Sequence, residues 1–232
     1  MSTTNIKISE IQKQTKIVGF TYLTTTLIGF INIFFVKIGL HKPETLLASE
    51  FQFRMSIVLD ITMYALVMWM AVALYILTKS INKNRATLGF IFRVAEVVMG
   101  FVMLLLYAAP LIILRKEEKY QFTNDTLHSL ASVFFDVYGM GSNLHLILMS
   151  IGAFIFIKLL QSASYVPKWL SYWGLFTYTT IFIGFTSQIL FPVISKQLKV
   201  LMAPGALFEL VFGIWLLING VNLKCLKSQT TV

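Results

Sequence analysis

Charge is scarce in this sequence, because Asp, Glu, Lys and Arg together make up only 12% of its 232 residues. A soluble domain usually carries about 25% of such residues, so the composition argues against an ordinary soluble protein. Hydrophobic residues instead make up 57% of the chain, and they collect in long apolar runs. Since about 20 apolar residues cross a bilayer as a helix, we expect an integral membrane protein in which residues 1–232 form a single domain.

Cysteine and histidine are nearly missing as well. Cys225 is the one cysteine, which excludes an internal disulfide and a cysteine-based metal site. The histidines are His41, His128 and His145, and none belongs to a zinc-protease pair of the His-Glu-x-x-His kind. The sequence also contains no phosphate-binding glycine loop and no dinucleotide fingerprint. We therefore predict no cofactor and no resident metal.

Basic residues exceed acidic ones, and the formal net charge is +9. They are scattered through loops and segment ends, where basic side chains set topology and meet anionic lipid. A nucleic-acid interface needs a clustered basic face on a soluble domain, so we predict membrane lipid as a partner and no nucleic acid.

Six apolar segments are predicted to cross the membrane. Their approximate bounds are 17–40, 56–78, 88–114, 142–160, 170–194 and 202–223. Backbone groups in lipid must form their hydrogen bonds within the segment, and the sequence lacks the alternation of a barrel strand. The predicted fold is therefore an all-α, polytopic transmembrane bundle of six spans.

The connection between the third and fourth segments has a helical pattern of its own. Apolar residues fall near one side of the stretch 126–138, namely Leu127, Leu130, Phe134 and Val137. That pattern is typical of a short amphipathic helix on the membrane surface. We expect Gly139 and Gly141 to end it before the fourth span begins near Ser142.

The distribution of Lys and Arg predicts the orientation. These residues are slightly more numerous on the N-terminal side of the six segments than on the other side. Cytoplasmic loops carry the excess of Lys and Arg. We therefore expect both termini in the cytoplasm, with Lys37 reaching the opposite interface by snorkelling.

Four ionisable residues stand out inside the predicted spans: Asp60, Arg93, Glu96 and Glu209. A charge at the bilayer centre costs about 3 kcal/mol on insertion scales, so such residues face a partner or water. Arg93 and Glu96 are three residues apart and can form an ion pair on one helix, which would lock the bundle. One arginine does not neutralise three carboxylates, however, which leaves room for a proton, a cation or a small-molecule ligand.

A second polar group is expected near the outer ends of the spans. His145, Asp136 and His128 all fall on that side of the predicted topology, together with Asp60. Such side chains could hold a metal, as in an intramembrane hydrolase, although their spacing is not diagnostic of one.

Three stretches of the chain resemble one known family. They are Asn84–Glu96, Ser164–Gly174 and Pro204–Leu217. The matching positions are Arg93 and Glu96 in the first stretch, Ser164, Pro167, Lys168, Trp169, Leu170, Ser171, Trp173 and Gly174 in the second, and Phe208, Glu209, Leu210, Trp215 and Leu216 in the third. In this order they resemble a family of bacterial six-span membrane proteins called domain of unknown function 4386. The resemblance implies a bacterial inner membrane and implies no activity.

Three functions remain open from the sequence. The interior charges favour a structural or accessory membrane protein of unassigned biochemical activity. The alternative is a small-solute or cation-coupled carrier with a water-accessible path through those charges. The second alternative is an intramembrane enzyme, either metal-dependent or metal-free, with an outer cavity that joins His145 and Asp60.

Overall fold

The computed structural model of the chain describes residues 3–115, 122–191 and 202–222. This part of the chain is helical and contains no strand. Its elements are α1 (Thr3–Ile31), α2 (Pro43–Leu46), α3 (Glu50–Thr78), α4 (Lys83–Arg115), α5 (Asn124–Ser162), α6 (Lys168–Leu190) and α7 (Met202–Asn219). A π-helical turn over Asn32–Val36 extends α1. The predicted all-α fold class is confirmed.

The long helices among the described residues pack in chain order into a closed ring. α1 packs against α3, and α3 through α7 each pack against the next helix. α7 packs back against α1 and closes the ring. In this order α4 and α7 stand on opposite sides of the ring. Large apolar side chains such as Phe35, Leu105 and Phe176 remain on the outer surface, as expected for helices that face lipid.

Four of the six predicted spans are supported by length and composition. The helices that are long and apolar enough to cross a membrane are Ile8–Val36, Glu50–Thr78, Lys83–Arg115 and Asn124–Ser162. α6 has 23 residues, but its Ser, Thr, Tyr and Trp side chains lower its mean hydropathy. In α7, the apolar helix Pro204–Asn219 is shorter than a typical span.

The predicted surface helix over 126–138 does not exist as a separate element. α5 begins at Asn124 and continues through Gly139 and Gly141 to Ser162. A Cβ atom at Gly141 would overlap the Met103 side chain, so this glycine serves a close contact between α4 and α5. Thr123 caps the helix, because its hydroxyl accepts a hydrogen bond from the Thr126 N–H at 3.4 Å.

α5 ends in a left-handed turn at Ser164, whose φ is 54°. The Tyr165 N–H donates to the Leu160 carbonyl, and the Ser164 N–H donates to the Gln161 carbonyl, both at 3.0 Å. These two bonds define a Schellman motif. The Tyr165 carbonyl, directly after this motif, accepts a hydrogen bond from the Asn222 N–H at 3.1 Å. The turn within the second family-like stretch therefore also holds the end of α7.

α1 and α7 approach each other closely where two glycines meet. A Cβ on Gly19 would lie 2.9 Å from the Gly213 carbonyl oxygen, and a Cβ on Gly213 would lie 3.0 Å from that of Gly19. Small residues allow such backbone contact between membrane helices. The ring closes at this contact.

Candidate functional site

The interior charges form three separate groups, of which the first is the Arg93 cluster (Arg93, Glu96 and His145). Arg93 and Glu96 lie on one face of α4, and their Nη1 and Oε2 atoms are 2.8 Å apart. Their exposed fractions are only 3% and 2%. The stem of Arg93 passes Gly152 of α5, where a Cβ would lie 3.0 Å from the Arg93 Cγ and Cδ atoms. The predicted ion pair is present.

His145 of α5 belongs to the Arg93 cluster. Its Nδ1 atom is 3.0 Å from the Glu96 carbonyl oxygen, and its Nε2 atom is 4.0 Å from Glu96 Oε1. The expected outer position of His145 rested on a fourth span that begins near Ser142. Because α5 begins at Asn124 instead, His145 lies about 30 Å along it at about 1.5 Å per residue. Among the described residues, no hydrogen bond or ion pair joins His145 to Asp60.

Asp60 lies in the second group, the Lys37 cluster (Lys37, Asp60, Asn32 and Tyr138). The Lys37 Nζ atom is 2.7 Å from Asp60 Oδ2, and the Asn32 Nδ2 atom donates to Asp60 Oδ1 at 2.7 Å. Lys37 does not reach the interface by snorkelling, as was expected, since its side chain is only 11% exposed. The π-helical turn directs the chain so that Asn32 is buried and Lys37 is largely buried. Asp60 is therefore neutralised locally and does not join Glu96.

Aromatic rings enclose the Lys37 ammonium on further sides. Its Nζ atom donates to the Tyr138 hydroxyl at 3.0 Å. The same atom lies 4.9 Å from the ring centre of Tyr107 and 5.4 Å from that of Tyr138. Desolvated cation–π contacts of this kind contribute about 2 kcal/mol each. The lysine thus has a carboxylate, a hydroxyl and two ring faces as partners.

The third group is the Glu209 cluster (Glu209, Thr26, Tyr178 and Tyr22). Thr26 Oγ1 donates to Glu209 Oε2 at 3.0 Å, and the Tyr178 hydroxyl donates to Glu209 Oε1 at 3.3 Å. The Tyr22 hydroxyl lies 3.4 Å from that of Tyr178. Among the described residues, no cationic side chain lies within 4.0 Å of Glu209. Arg93 therefore forms no ion pair with Glu209.

His128 and Asp136 do not contribute to these groups. Asp136 is exposed and His128 is half-buried, both on the first part of α5. Within residues 3–115, 122–191 and 202–222, no group of three His, Cys, Asp or Glu side chains is placed to hold a metal ion.

Several polar partners escaped the sequence reasoning. Tyr138 lies at the end of the stretch that was predicted to form a surface helix, and Tyr178 lies within the fifth predicted span. Thr26 and Asn32 lie on the polar side of the first segment and carried a usable signal. The position of Lys37 in the sequence did not indicate that it is buried, because a lysine at a segment end normally reaches water.

Among the described residues, the interior holds two ion pairs and one carboxylate without an ion-pair partner within 4.0 Å. Lys37 neutralises Asp60, and Arg93 neutralises Glu96. The hydrogen bonds to the third carboxylate, Glu209, come from the Thr26 and Tyr178 hydroxyls. An all-helical fold with apolar outer surfaces and a polar interior defines a membrane protein of unassigned activity.

The comparison with family models identifies this protein further. A model described as "Domain of unknown function (DUF4386)" matches residues 17–220. The chain belongs to that family, as its three motifs indicated. No curated protein and no solved structure matches the chain.

Proposed function

We propose that this chain is a structural or accessory protein of a bacterial cytoplasmic membrane, with six spans and both termini in the cytoplasm. The six-span arrangement is supported by the ring, in which α6 and α7 pack beside the four clear spans. At about 1.5 Å per residue, the 23 residues of α6 are also long enough for ~30 Å of hydrocarbon. The bacterial membrane is the expectation that the motif resemblance carries.

The observation that carries this proposal is the pairing of the buried carboxylates. Asp60 and Glu96 each lie within 2.8 Å of a cationic side chain from the same chain. A buried charge that lacks its partner destabilises a protein by about 3–5 kcal/mol. The Lys37 pair joins the end of α1 to α3, and Arg93 touches α5 through Gly152. Both pairs therefore contribute to the register of the ring.

Glu209 favours one competing function, that of a cation- or proton-coupled carrier. It is the interior carboxylate without a cationic partner among the described residues. A carboxylate in an apolar bundle that holds only hydroxyl donors is suited to exchange a proton or a cation. A carrier requires water to reach this group from at least one side of the membrane.

Water access beside Glu209 distinguishes these two functions. Thr26 touches Glu209, so we would place a single cysteine there (Thr26→Cys) in a Cys225→Ser background. A structural protein predicts that membrane-impermeant thiol reagents leave this cysteine unmodified from both sides. Exposed reference sites are Lys83→Cys and Asp125→Cys, which the proposed topology places on the cytoplasmic and outer sides, respectively.

The outcomes of this labelling are distinct. Modification of Thr26→Cys at a rate similar to a reference site would reject the closed interior and support the carrier. Labelling of Lys83→Cys from outside, or of Asp125→Cys from inside, would overturn the orientation without deciding between the two functions.

A further inference from the structure

A groove of about 550 Å³ lies on the outer surface where α1, α3 and α7 meet. It lies apart from the three charge clusters. The residues that define it are Gln12, Lys13, Lys16, Phe20, Trp69 and Leu217. Polar side chains from the first part of α1 line one end, and apolar side chains from all three helices line the other.

The polar end of the groove carries two available positive charges. Lys13 and Lys16 are exposed, and among the described residues neither forms an ion pair with a carboxylate. They are three residues apart, so they lie on the same side of α1. The apolar run begins directly after Lys16, which places both ammonium groups at the level of the headgroups.

The apolar end of the groove continues from these lysines toward the hydrocarbon. Phe20 is 49% exposed and Trp69 is 47% exposed, and Leu217 of α7 lies beside them. The Gln12 side chain lies close to Gly220, directly after the end of α7. A Cβ atom added to Gly220 would lie 2.5 Å from the Gln12 Oε1 atom. The groove therefore has a cationic entrance, an amide wall and an apolar floor.

We propose that this groove is a binding site for one anionic phospholipid. Its phosphate would lie between Lys13 and Lys16, and an acyl chain would follow Phe20, Trp69 and Leu217. Phosphate recognition alone would suit a soluble phosphate compound equally well. The exposed apolar floor favours a lipid, because a soluble anion would leave it uncovered. The site is independent of whether the protein is structural or a carrier.

Quenching of Trp69 by brominated lipids tests this proposal directly. The protein is placed in phosphatidylcholine nanodiscs that contain a small fraction of either brominated phosphatidylglycerol or brominated phosphatidylcholine. The Trp69→Phe variant supplies the signal of the other tryptophans for subtraction. We expect phosphatidylglycerol to reach Trp69 with a preference of about 25-fold, since each of the two lysines near the headgroup adds about fivefold.

Matched charge variants identify the site. The double variant Lys13→Gln/Lys16→Gln should lose the preference, while quenching by brominated phosphatidylcholine stays unchanged and reports an intact fold. The control Lys79→Gln/Lys83→Gln removes the same charge from exposed lysines of the same predicted side and should keep the preference.

Three results would overturn the proposal. Equal quenching by the two brominated lipids would show that no anionic lipid is selected. An equal loss of preference in the control would assign it to the general surface charge. Displacement of brominated phosphatidylglycerol by millimolar inorganic phosphate would show a soluble-phosphate site instead of a lipid site.

Discussion

At the scale of single residues, the two interior cations differ in their surroundings. Arg93 touches one carboxylate at the centre of α4. Lys37 is enclosed by Asp60, by the Tyr138 hydroxyl and by two aromatic rings. A lysine usually avoids such burial, since its ammonium is strongly hydrated. The number of its partners indicates that Lys37 is a fixed structural element of the bundle.

Removal of the Lys37 charge should therefore destabilise the protein. We expect Lys37→Met to lower the free energy of unfolding by about 3–5 kcal/mol, because Asp60 would remain buried without a cation. Lys42→Met is the matched control, since Lys42 is an exposed lysine in the same connection and should change stability by less than about 0.5 kcal/mol. Unfolding of both variants in lipid bicelles measures the difference. Equal stability of the two would remove Lys37 from the structural core.

Ser164 supplies a prediction of the opposite sign. A non-glycine residue in the left-handed region costs about 1–2 kcal/mol, and Ser164 has a φ of 54° in the turn after α5. Ser164→Gly should raise the melting temperature, and Ser164→Val should lower it. A lower melting temperature for the glycine variant would show that the hydroxyl matters more than the backbone conformation.

At this scale the sequence predicted the buried charges but not all of their partners. Spacing along one helix was sufficient for Arg93 and Glu96, because residues three apart share a face. Lys37 and Asp60 are joined across two helices, and their contact depends on the π-helical turn at Asn32. No pattern within one segment encodes that turn.

At the scale of whole elements, the length of α5 is the main departure from expectation. Gly139 and Gly141 indicated a break, since glycine weakens a helix by about 1 kcal/mol relative to alanine. The helix continues because its neighbours stabilise it, with Met103 packed against Gly141. Tertiary packing thus outweighs the low helix propensity of the two glycines. As a result, His145 lies beside Glu96 and not at the expected outer position.

Two glycine substitutions should have opposite effects on stability. A Cβ on Gly213 would lie 2.9 Å from Leu23 and 3.0 Å from the Gly19 carbonyl oxygen, so Gly213→Ala should push α1 and α7 apart and destabilise the protein by about 1–3 kcal/mol. A Cβ on Gly139 meets nothing within 4 Å. Gly139→Ala should therefore stabilise the continuous α5 by about 0.5–1 kcal/mol. Destabilisation by Gly139→Ala would mean that α5 is not a regular helix at this position.

At the scale of the whole molecule, the ring explains why each charge needs a local partner. α4 and α7 stand on opposite sides, so Arg93 does not form an ion pair with Glu209. The sequence predicted the helical class from composition and apolar runs, but helix neighbours are set by packing between segments. The placement of α4 and α7 on opposite sides was therefore not predictable from the sequence, although Arg93 and Glu209 both lie in the interior.

The interior charges stabilise the ring as pairs. A double-mutant cycle on Arg93→Met and Glu96→Gln, read as the free energy of unfolding in bicelles, tests it most directly. The surface pair Glu50 and Arg54, which is 2.6 Å apart and in which Glu50 also contacts Arg115 at 2.9 Å, serves as the control and should couple by less than about 1 kcal/mol.

For the buried pair, the account predicts that Arg93→Met alone costs about 3–5 kcal/mol and that the double variant regains most of this loss. Single losses that simply add in the double variant, or a fully stable Arg93→Met protein, would contradict it and point to a reactive or transporting site at these residues.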